Sequence, residues 1–291
     1  MLSSLVADFP LLLVAIALAL HIAGERRAVR VLRRPRDRTA RQRSLFFYAG
    51  LLTIVVALKG PIDDYSTKLF WVHMIQHVLL LTVAAPLIVL GAPWNSTWRP
   101  LPLGFRRGAA RGVARSAWAA PIRAVGRALG SPVGAWLAFS IDLIAWHIPG
   151  AYDLTLRHIW VHALEHTTFL AFGILLWAQV LDSPPLRCRL RLEHRVYYML
   201  ASATVGWLLS LVLTFAPTPL YPAYANLANR PGGISALADQ QIAGGMMLGP
   251  GSVTMTLFVF IGLYRWLGTD EQRSDRPSGW RRRSATGGAE S

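Results

Sequence analysis

Two groups of histidines in this sequence recur at intervals of four residues. His73 and His77 form one HxxxH motif, and His158, His162 and His166 continue the same interval in a second stretch. Side chains four residues apart share one face of an α-helix, about 6 Å apart along its axis. Two imidazoles placed in this way bind one metal ion at roughly 2.0–2.1 Å from each nitrogen. Two such pairs at one depth on two helices predict a four-histidine site.

Other potential ligands lie near these motifs. Asp142 precedes His147 by five residues, and its carboxylate would either bind the metal or orient a ligand histidine through the free ring N–H. Asp239 begins the last hydrophobic stretch, and the thioethers of Met246 and Met247 are soft ligands that suit Cu(I). Ordinary packing remains the simpler explanation for each methionine alone. The candidate metal ligands are His73, His77, His147, His158, His162, His166, Asp142, Asp239 and Met246.

The same residues permit alternative functions. Glu165 makes the second motif His-x-x-Glu-His, the order found in inverted zinc-peptidase motifs, where the glutamate is a general base. An intramembrane zinc hydrolase would use His162, Glu165 and His166, with His73 or Asp142 as a third ligand. A haem b protein would take one axial histidine from each of two helices. A polar network without metal is also possible, and Cys188, the single cysteine, excludes a thiolate cage.

These side chains must be positioned by membrane helices. The chain is 53% hydrophobic and 15% charged, against about 25% charged in soluble domains. Long apolar runs separated by arginine clusters predict an all-α, polytopic bundle of seven transmembrane helices. The predicted spans are residues 9–23, 45–58, 69–90, 133–148, 159–181, 196–215 and 242–267.

The positive charge follows the same organisation. A net charge of +15 raises the question of nucleic acid, but arginine also accumulates in cytoplasmic loops. Twenty-six of the 30 Lys and Arg residues lie in segments 26–43, 99–127, 187–195 and 265–283, which alternate between the spans. This alternation predicts an outside N-terminus, a cytoplasmic C-terminus and no nucleic-acid partner. Most of the histidines then lie toward the outer face.

The chain divides into one membrane domain and a tail. Residues 1–267 form the predicted seven-span domain, whose first span is permanent because no basic residue precedes it. Within it, residues 104–130 predict an amphipathic cytoplasmic loop that contacts anionic membrane lipids. Residues 268–291 are polar and basic, which predicts a disordered cytoplasmic tail.

Three of these stretches together resemble the signatures of the multi-spanning CtaG family of cytochrome c oxidase assembly factors. They are HMIQH at 73–77 with APLIVLGAP at 85–93, HALEH at 162–166, and DQQIAGG at 239–245. The resemblance implies a bacterial plasma-membrane protein that helps to place copper in haem–copper oxidases. It carries over His73, His77, His162, His166 and Asp239 as site residues. Leu248-Gly249-Pro250 departs from the family pattern, in which a tryptophan is usual nearby.

We therefore expect an assembly factor that is not an enzyme. It would bind copper at an outer-face histidine site and pass it by ligand exchange to the catalytic subunit of a haem–copper oxidase. A copper donor on the outer side would supply the ion. Zinc in a hydrolase and haem b remain the alternative cofactors.

Overall fold

The computed structural model describes residues 2–31, 33, 37–186, 188–227 and 230–274, and the regular structure in them is helical. The α-helices are, in chain order, α1 (Leu2–Arg30), α2 (Arg38–Leu58), α3 (Pro61–Ser66), α4 (Phe70–Val78), α5 (Ala85–Gly91), α6 (Trp94–Trp98), α7 (Leu103–Arg115), α8 (Ala120–Leu129), α9 (Pro132–Trp146), α10 (Pro149–Arg157), α11 (Ile159–Trp177), α12 (Leu192–Phe215), α13 (Pro222–Ala225), α14 (Ala236–Leu248) and α15 (Pro250–Ser274). The helical fold class is confirmed.

Six helical stretches of the described chain are long and apolar enough to cross a membrane. They are Phe9–Arg30, Arg38–Leu58, Phe70–Gly91, Ile159–Trp177, Leu192–Phe215 and Ala236–Gly268. The predicted fourth span corresponds to α9, which has only 15 residues, about 22 Å of helix against a hydrocarbon core of about 30 Å. It qualifies only together with Ala117–Leu129, from which it is bent by 86°. The count is therefore six, or seven with this bent pair, and the orientation of the termini stays a prediction.

Several helices extend beyond their apolar runs. Helix α2 begins at Arg38 because the side chain of Asp37 caps it, accepting a hydrogen bond from the amide of Ala40 at 2.7 Å. Helix α15 continues to Ser274, so it extends into the segment from residue 268 onward, whose predicted disorder stays a prediction. Residues 275–291 lie outside the described part of the chain. Arginine favours helices about as well as leucine. A helix can therefore continue into an arginine-rich segment, beyond the residue at which the apolar run ends.

The third predicted span is not a continuous α-helix. Helix α4 ends at Val78, a π-helical segment follows over Leu79–Ala84, and α5 continues the same span. Segments of this type widen the helix locally and occur often at functional sites. This one begins two residues after His77, and a simple apolar run gives no sign of it.

The seventh predicted span begins earlier and is broken. Helix α14 starts after Ser235, whose side chain accepts a hydrogen bond from the amide of Ala238 at 3.1 Å. The helix ends before Gly249, and α15 starts at Pro250. Proline has no amide hydrogen and clashes with the preceding turn, so the helix predicted over residues 242–267 is interrupted at Gly249, although Ala236–Gly268 remains one candidate span.

Close helix approaches hold the histidine-bearing helices together. At Gly173 on α11, an added Cβ would lie 3.1 Å from the Cβ of Ala85 and 3.2 Å from Leu81. The indole N–H of Trp177 on the same helix donates to the carbonyl of Leu81 at 2.9 Å. Helix α11 therefore packs directly on the π-helical segment and α5, and the main buried core lies along this contact.

The predicted amphipathic loop consists of α7, α8 and the turn between them. Arg123 joins the two helices by donating to the carbonyls of Val113 and Ser116, each at 2.8 Å. Trp118 and Ile122 are exposed in this segment, beside its arginines. The arrangement suits the lipid contact predicted for residues 104–130, which itself stays a prediction.

Candidate metal centre

Helix α4 carries the first histidine pair and is held at both its start and its middle. The carboxylate of Asp239 accepts hydrogen bonds from the amides of Phe70 and Trp71, each at 3.0 Å. These amides are among the four that a helix start leaves without partners. Further along, Gln76 donates to the carbonyl of Ala57 at 2.8 Å. The helix is thereby fixed against α14 and α2.

The two histidines of α4 meet one glutamate of α11. The Nε2 atoms of His73 and His77 are 2.9 Å apart. Glu165 places its Oε2 at 3.3 Å from Nε2 of His73 and its Oε1 at 3.4 Å from Nε2 of His77. His73 and Glu165 are completely buried, and His77 is 3% exposed. Three potential ligand atoms from two helices thus face one point.

His166 completes a group of four. One ligand atom from each of His73, His77, Glu165 and His166 lies within 4.8 Å of all the others. Ligands bound at 2.0–2.1 Å around a tetrahedral metal stand roughly 3.3 Å from one another. The three measured separations of 2.9, 3.3 and 3.4 Å are close to this value. We call these four residues the His–Glu cluster.

His162 lies beside the cluster rather than in it. Its ring centroid is 4.2 Å from that of His166 and 5.0 Å from that of His73. The predicted pair of HxxxH motifs therefore does converge, but Glu165 stands where the sequence pattern placed His162. Residues at i, i+3 and i+4 share a helix face. The spacing of the HALEH motif therefore already indicates that Glu165 lies on the same face of α11 as His162 and His166. The sequence reasoning had assigned Glu165 only to the hydrolase alternative.

The cluster contains a buried negative charge. The described ion pairs of Glu165 are with His73 and His77 alone, and a carboxylate away from water needs a compensating cation. The histidines also retain unsatisfied nitrogens. Buried ring nitrogens without a hydrogen-bond partner are Nε2 of His147, His162 and His166. On His73 and His77 the unpartnered nitrogen is Nδ1, whereas their Nε2 atoms face Glu165. A bound ion or water is the usual explanation for such atoms.

Two predicted ligands near the cluster are engaged in other contacts. His147 follows α9, is buried, and places its ring centroid 6.2 Å from that of His77. The carboxylate of Asp142 accepts a hydrogen bond from the indole of Trp146 at 3.0 Å, and the same indole donates to Thr168 at 2.9 Å. No hydrogen bond joins Asp142 to a histidine within the described residues, and its predicted role beside the metal stays a prediction.

Three further candidates are separate from the cluster. His158 is exposed and immediately precedes α11. Asp239 uses both carboxylate oxygens to cap α4, and its Oδ2 lies 3.4 Å from Nε of Arg230. Met246 is half-buried and does not line either cavity next to the histidines, whereas Met247 does.

An aromatic group that the sequence reasoning missed covers His73. The ring of Tyr152 packs on His73 with centroids 5.1 Å apart, and Phe70, Tyr221 and Tyr224 pack around Tyr152. Burial, followed by the neighbouring Tyr224, raises the pKa of Tyr152 well above its usual value, so the phenol stays neutral. These aromatic residues come from separate chain segments, and no local spacing marks them.

Two cavities adjoin the cluster. The larger, of about 330 Å³, lies between α1, α2 and α11 and reaches His162 and His166. The smaller, of about 60 Å³, shares no lining residue with the larger and is lined by His77 and His147, among others. The rings of the two HxxxH pairs contact one another, with centroids 4.2–5.6 Å apart. A porphyrin between these rings would require them to move apart, and haem b stays an alternative prediction.

Fold and site together define a helical, multi-spanning membrane protein with a buried His–Glu cluster between two spans. The family model described as cytochrome c oxidase caa3 assembly factor (Caa3_CtaG) matches residues 26–269. The match covers most of the chain and includes every member of the cluster. The chain belongs to this family.

Individual relatives are distant. An uncharacterized protein of Mycobacterium bovis and another of Mycobacterium tuberculosis are each 22% identical to this chain over 237 residues. The alignment covers 80% of this chain but 35% of each relative, so the chain spans about a third of the length of the curated relatives it matches. No solved structure shows significant similarity to the chain.

Proposed function

We propose that this protein assembles cytochrome c oxidase by binding copper at the His–Glu cluster and delivering it to the oxidase. The observation that supports this proposal best is the geometry of His73, His77, Glu165 and His166. Their ligand atoms lie within 4.8 Å of one another and are buried. A structural hydrogen-bond network needs no such convergence of four ligand atoms.

The donor set and its charge suit a metal ion. A metal ligand histidine must be neutral and the carboxylate ionised, so the cluster offers one negative charge to a cation. Imidazole and carboxylate ligands bind copper well, and they also bind zinc and iron. We favour copper over zinc and iron because the protein to be assembled, a haem–copper oxidase, holds its buried copper with histidines. Exchange between similar ligands permits transfer without a redox step.

The partner of this transfer would be the catalytic subunit of the oxidase in the bacterial plasma membrane. The arginine-rich segments predict that the cluster lies toward the outer face, where an outer copper donor would supply the ion. Glu165 contacts both histidines of α4. This position suits a ligand better than a general base held beside a metal-bound water, so we do not favour the hydrolase.

An assembly experiment tests this proposal. Cells without the gene would be complemented with the wild-type protein, with His166→Ala or with His158→Ala. The last variant is a control, because His158 is an exposed histidine that precedes the helix carrying His166. Copper per haem and oxygen uptake of cytochrome c oxidase would be measured in membranes with equal amounts of each variant. We expect His166→Ala to match the deletion and His158→Ala to match wild type. Normal oxidase copper with His166→Ala would overturn the proposal.

A further inference from the structure

A second set of potential ligands lines the smaller cavity, which His77 borders and the larger cavity does not share. The cavity of about 60 Å³ is lined by His77, His147, Met247 and Met255, together with apolar residues and three hydroxyl side chains. We call it the thioether cavity. Its size admits a single ion or a small number of waters, and its ligand types differ from those of the His–Glu cluster.

His147 is held in the form that a metal requires. Its Nδ1 lies 2.7 Å from the carbonyl of Leu143, and a carbonyl only accepts, so Nδ1 carries the hydrogen. Its Nε2 therefore has a free lone pair, and this atom is buried without a hydrogen-bond partner. Histidine ligands usually donate their other ring N–H to a carbonyl or carboxylate in this way.

Met247 and Met255 line one cavity from either side of the helix interruption in the seventh span. Met247 and Met255 are eight residues apart, which is about 12 Å along a straight helix and about 80° around it. Helix α14 ends at Leu248 and α15 begins at Pro250, and both residues line the thioether cavity.

The remaining lining selects a soft, monovalent ion. Among the residues that the structure describes, no acidic side chain lines the thioether cavity, so a divalent ion would bring two uncompensated charges into the bundle. The hydroxyls of Ser202 and Ser252 are engaged with the carbonyl of Tyr198 at 2.8 Å and the indole of Trp207 at 2.6 Å. Thioethers prefer Cu(I), whereas hard divalent ions prefer oxygen.

From these observations we propose that His147, Met247 and Met255 form a Cu(I) site. This inference rests on the proposed function and deepens it, because it assigns the oxidation state of the cargo and a second position for it. His77 belongs to the His–Glu cluster and also lines the thioether cavity. The ion would pass between the two positions by ligand exchange, with copper remaining Cu(I) throughout.

The test is an anaerobic Cu(I) titration of the purified full-length protein in detergent, against a competing Cu(I) chelator. We expect two Cu(I) per chain in wild type and one in Met247→Leu/Met255→Leu. Leucine is close to methionine in volume, so the fold should be kept. Met246→Leu is the matched control because Met246 precedes Met247 directly yet lies outside the cavity, and it should keep two. X-ray absorption should show copper–sulfur scattering that only the double variant loses.

A further variant separates this inference from the proposed function. His166→Ala should keep one Cu(I), bound with sulfur scattering, because His166 does not line the thioether cavity. If wild type binds one Cu(I) that His166→Ala removes and the methionine double variant keeps, the thioether site is wrong and the cluster stands. If the methionine variant removes the only Cu(I) and His166→Ala keeps it, the proposed cluster is wrong instead.

Discussion

The Nε2 atoms of His73 and His77 lie 2.9 Å apart, although one turn of helix, about 5.4 Å, separates their backbones. Both rings turn toward the same point, and the carboxylate of Glu165 faces them from α11 at 3.3 and 3.4 Å. The ligand atoms already have the spacing of a metal centre. A cluster arranged in this way would bind an ion without having to order its side chains, which would reduce the entropic cost of binding.

The first prediction concerns Glu165. Glu165→Gln keeps the shape of the side chain and removes its charge. The affinity for Cu(II) or Zn(II) should therefore fall by more than the ~10–100-fold that is typical when a residue that only hydrogen-bonds to a metal ligand is mutated. Competition titration of the purified protein measures the Kd. A variant that retained full affinity but lost a hydrolytic activity would support the zinc-hydrolase alternative.

The second prediction distinguishes the two histidines of the HALEH motif. His166 belongs to the cluster, whereas His162 only packs beside it. His166→Ala should therefore weaken Zn(II) binding at least ~10 times more than His162→Ala does. The first variant loses a proposed metal ligand, whereas the second loses only a side chain that packs beside the ligands. Both are measured by the same competition titration. Equal losses, or a larger loss from His162→Ala, would restore the four-histidine site predicted from the spacing.

The third prediction assigns Asp239 a structural role. Asp239→Ala leaves the amides of Phe70 and Trp71 without their acceptor and removes the ion-pair partner of Arg230. Loss of one member of a buried pair costs about 3–5 kcal/mol. Thermal unfolding in detergent should show a clearly lower Tm, with metal stoichiometry unchanged. The exposed Asp64→Ala is the control, and an unchanged Tm together with lost metal would identify Asp239 as a ligand.

The fourth prediction tests the contact that sets the distance between the two spans. Gly173→Val adds atoms where Ala85 and Leu81 already lie 3.1 and 3.2 Å from an added Cβ. Helix α11 must then move away from α5, which separates Glu165 and His166 from α4. Overpacking of this kind typically costs about 1–3 kcal/mol, and Zn(II) affinity should fall as well. Gly245→Val is the control, because nothing lies within 4 Å of an added Cβ there.

Much of the fold was predictable from the sequence because it depends on local patterns. Apolar runs indicated the helices, and the interval of four residues placed His73 with His77 and His162 with His166. The orientation of the bundle, predicted from the arginines, remains a prediction. The π-helical segment and the break at Gly249 were not predictable, because a run of apolar residues is compatible with either a continuous or an interrupted helix.

The differences between the predicted site and the observed arrangement have physical causes too. Asp239 caps α4 across 169 residues of sequence separation, and no local pattern encodes a contact of that range. The choice between Met246 and Met247 depends on the rotation of α14, which differs by about 100° from one residue to the next. Glu165 was visible in the motif, but its partners on α4 became clear only in the structure.

The most direct test of the central claim is a Cu(II) titration of the purified protein, followed by electron paramagnetic resonance. Cu(II) is the appropriate probe because the thioether cavity lacks the charge that a divalent ion needs. We predict one nitrogen-ligated Cu(II) per chain in wild type and in the exposed control His158→Ala, and none in His73→Ala/His77→Ala, with all three proteins inserted in the membrane. If the double variant keeps the same nitrogen-ligated Cu(II) signal as wild type, the His–Glu cluster is not the metal site.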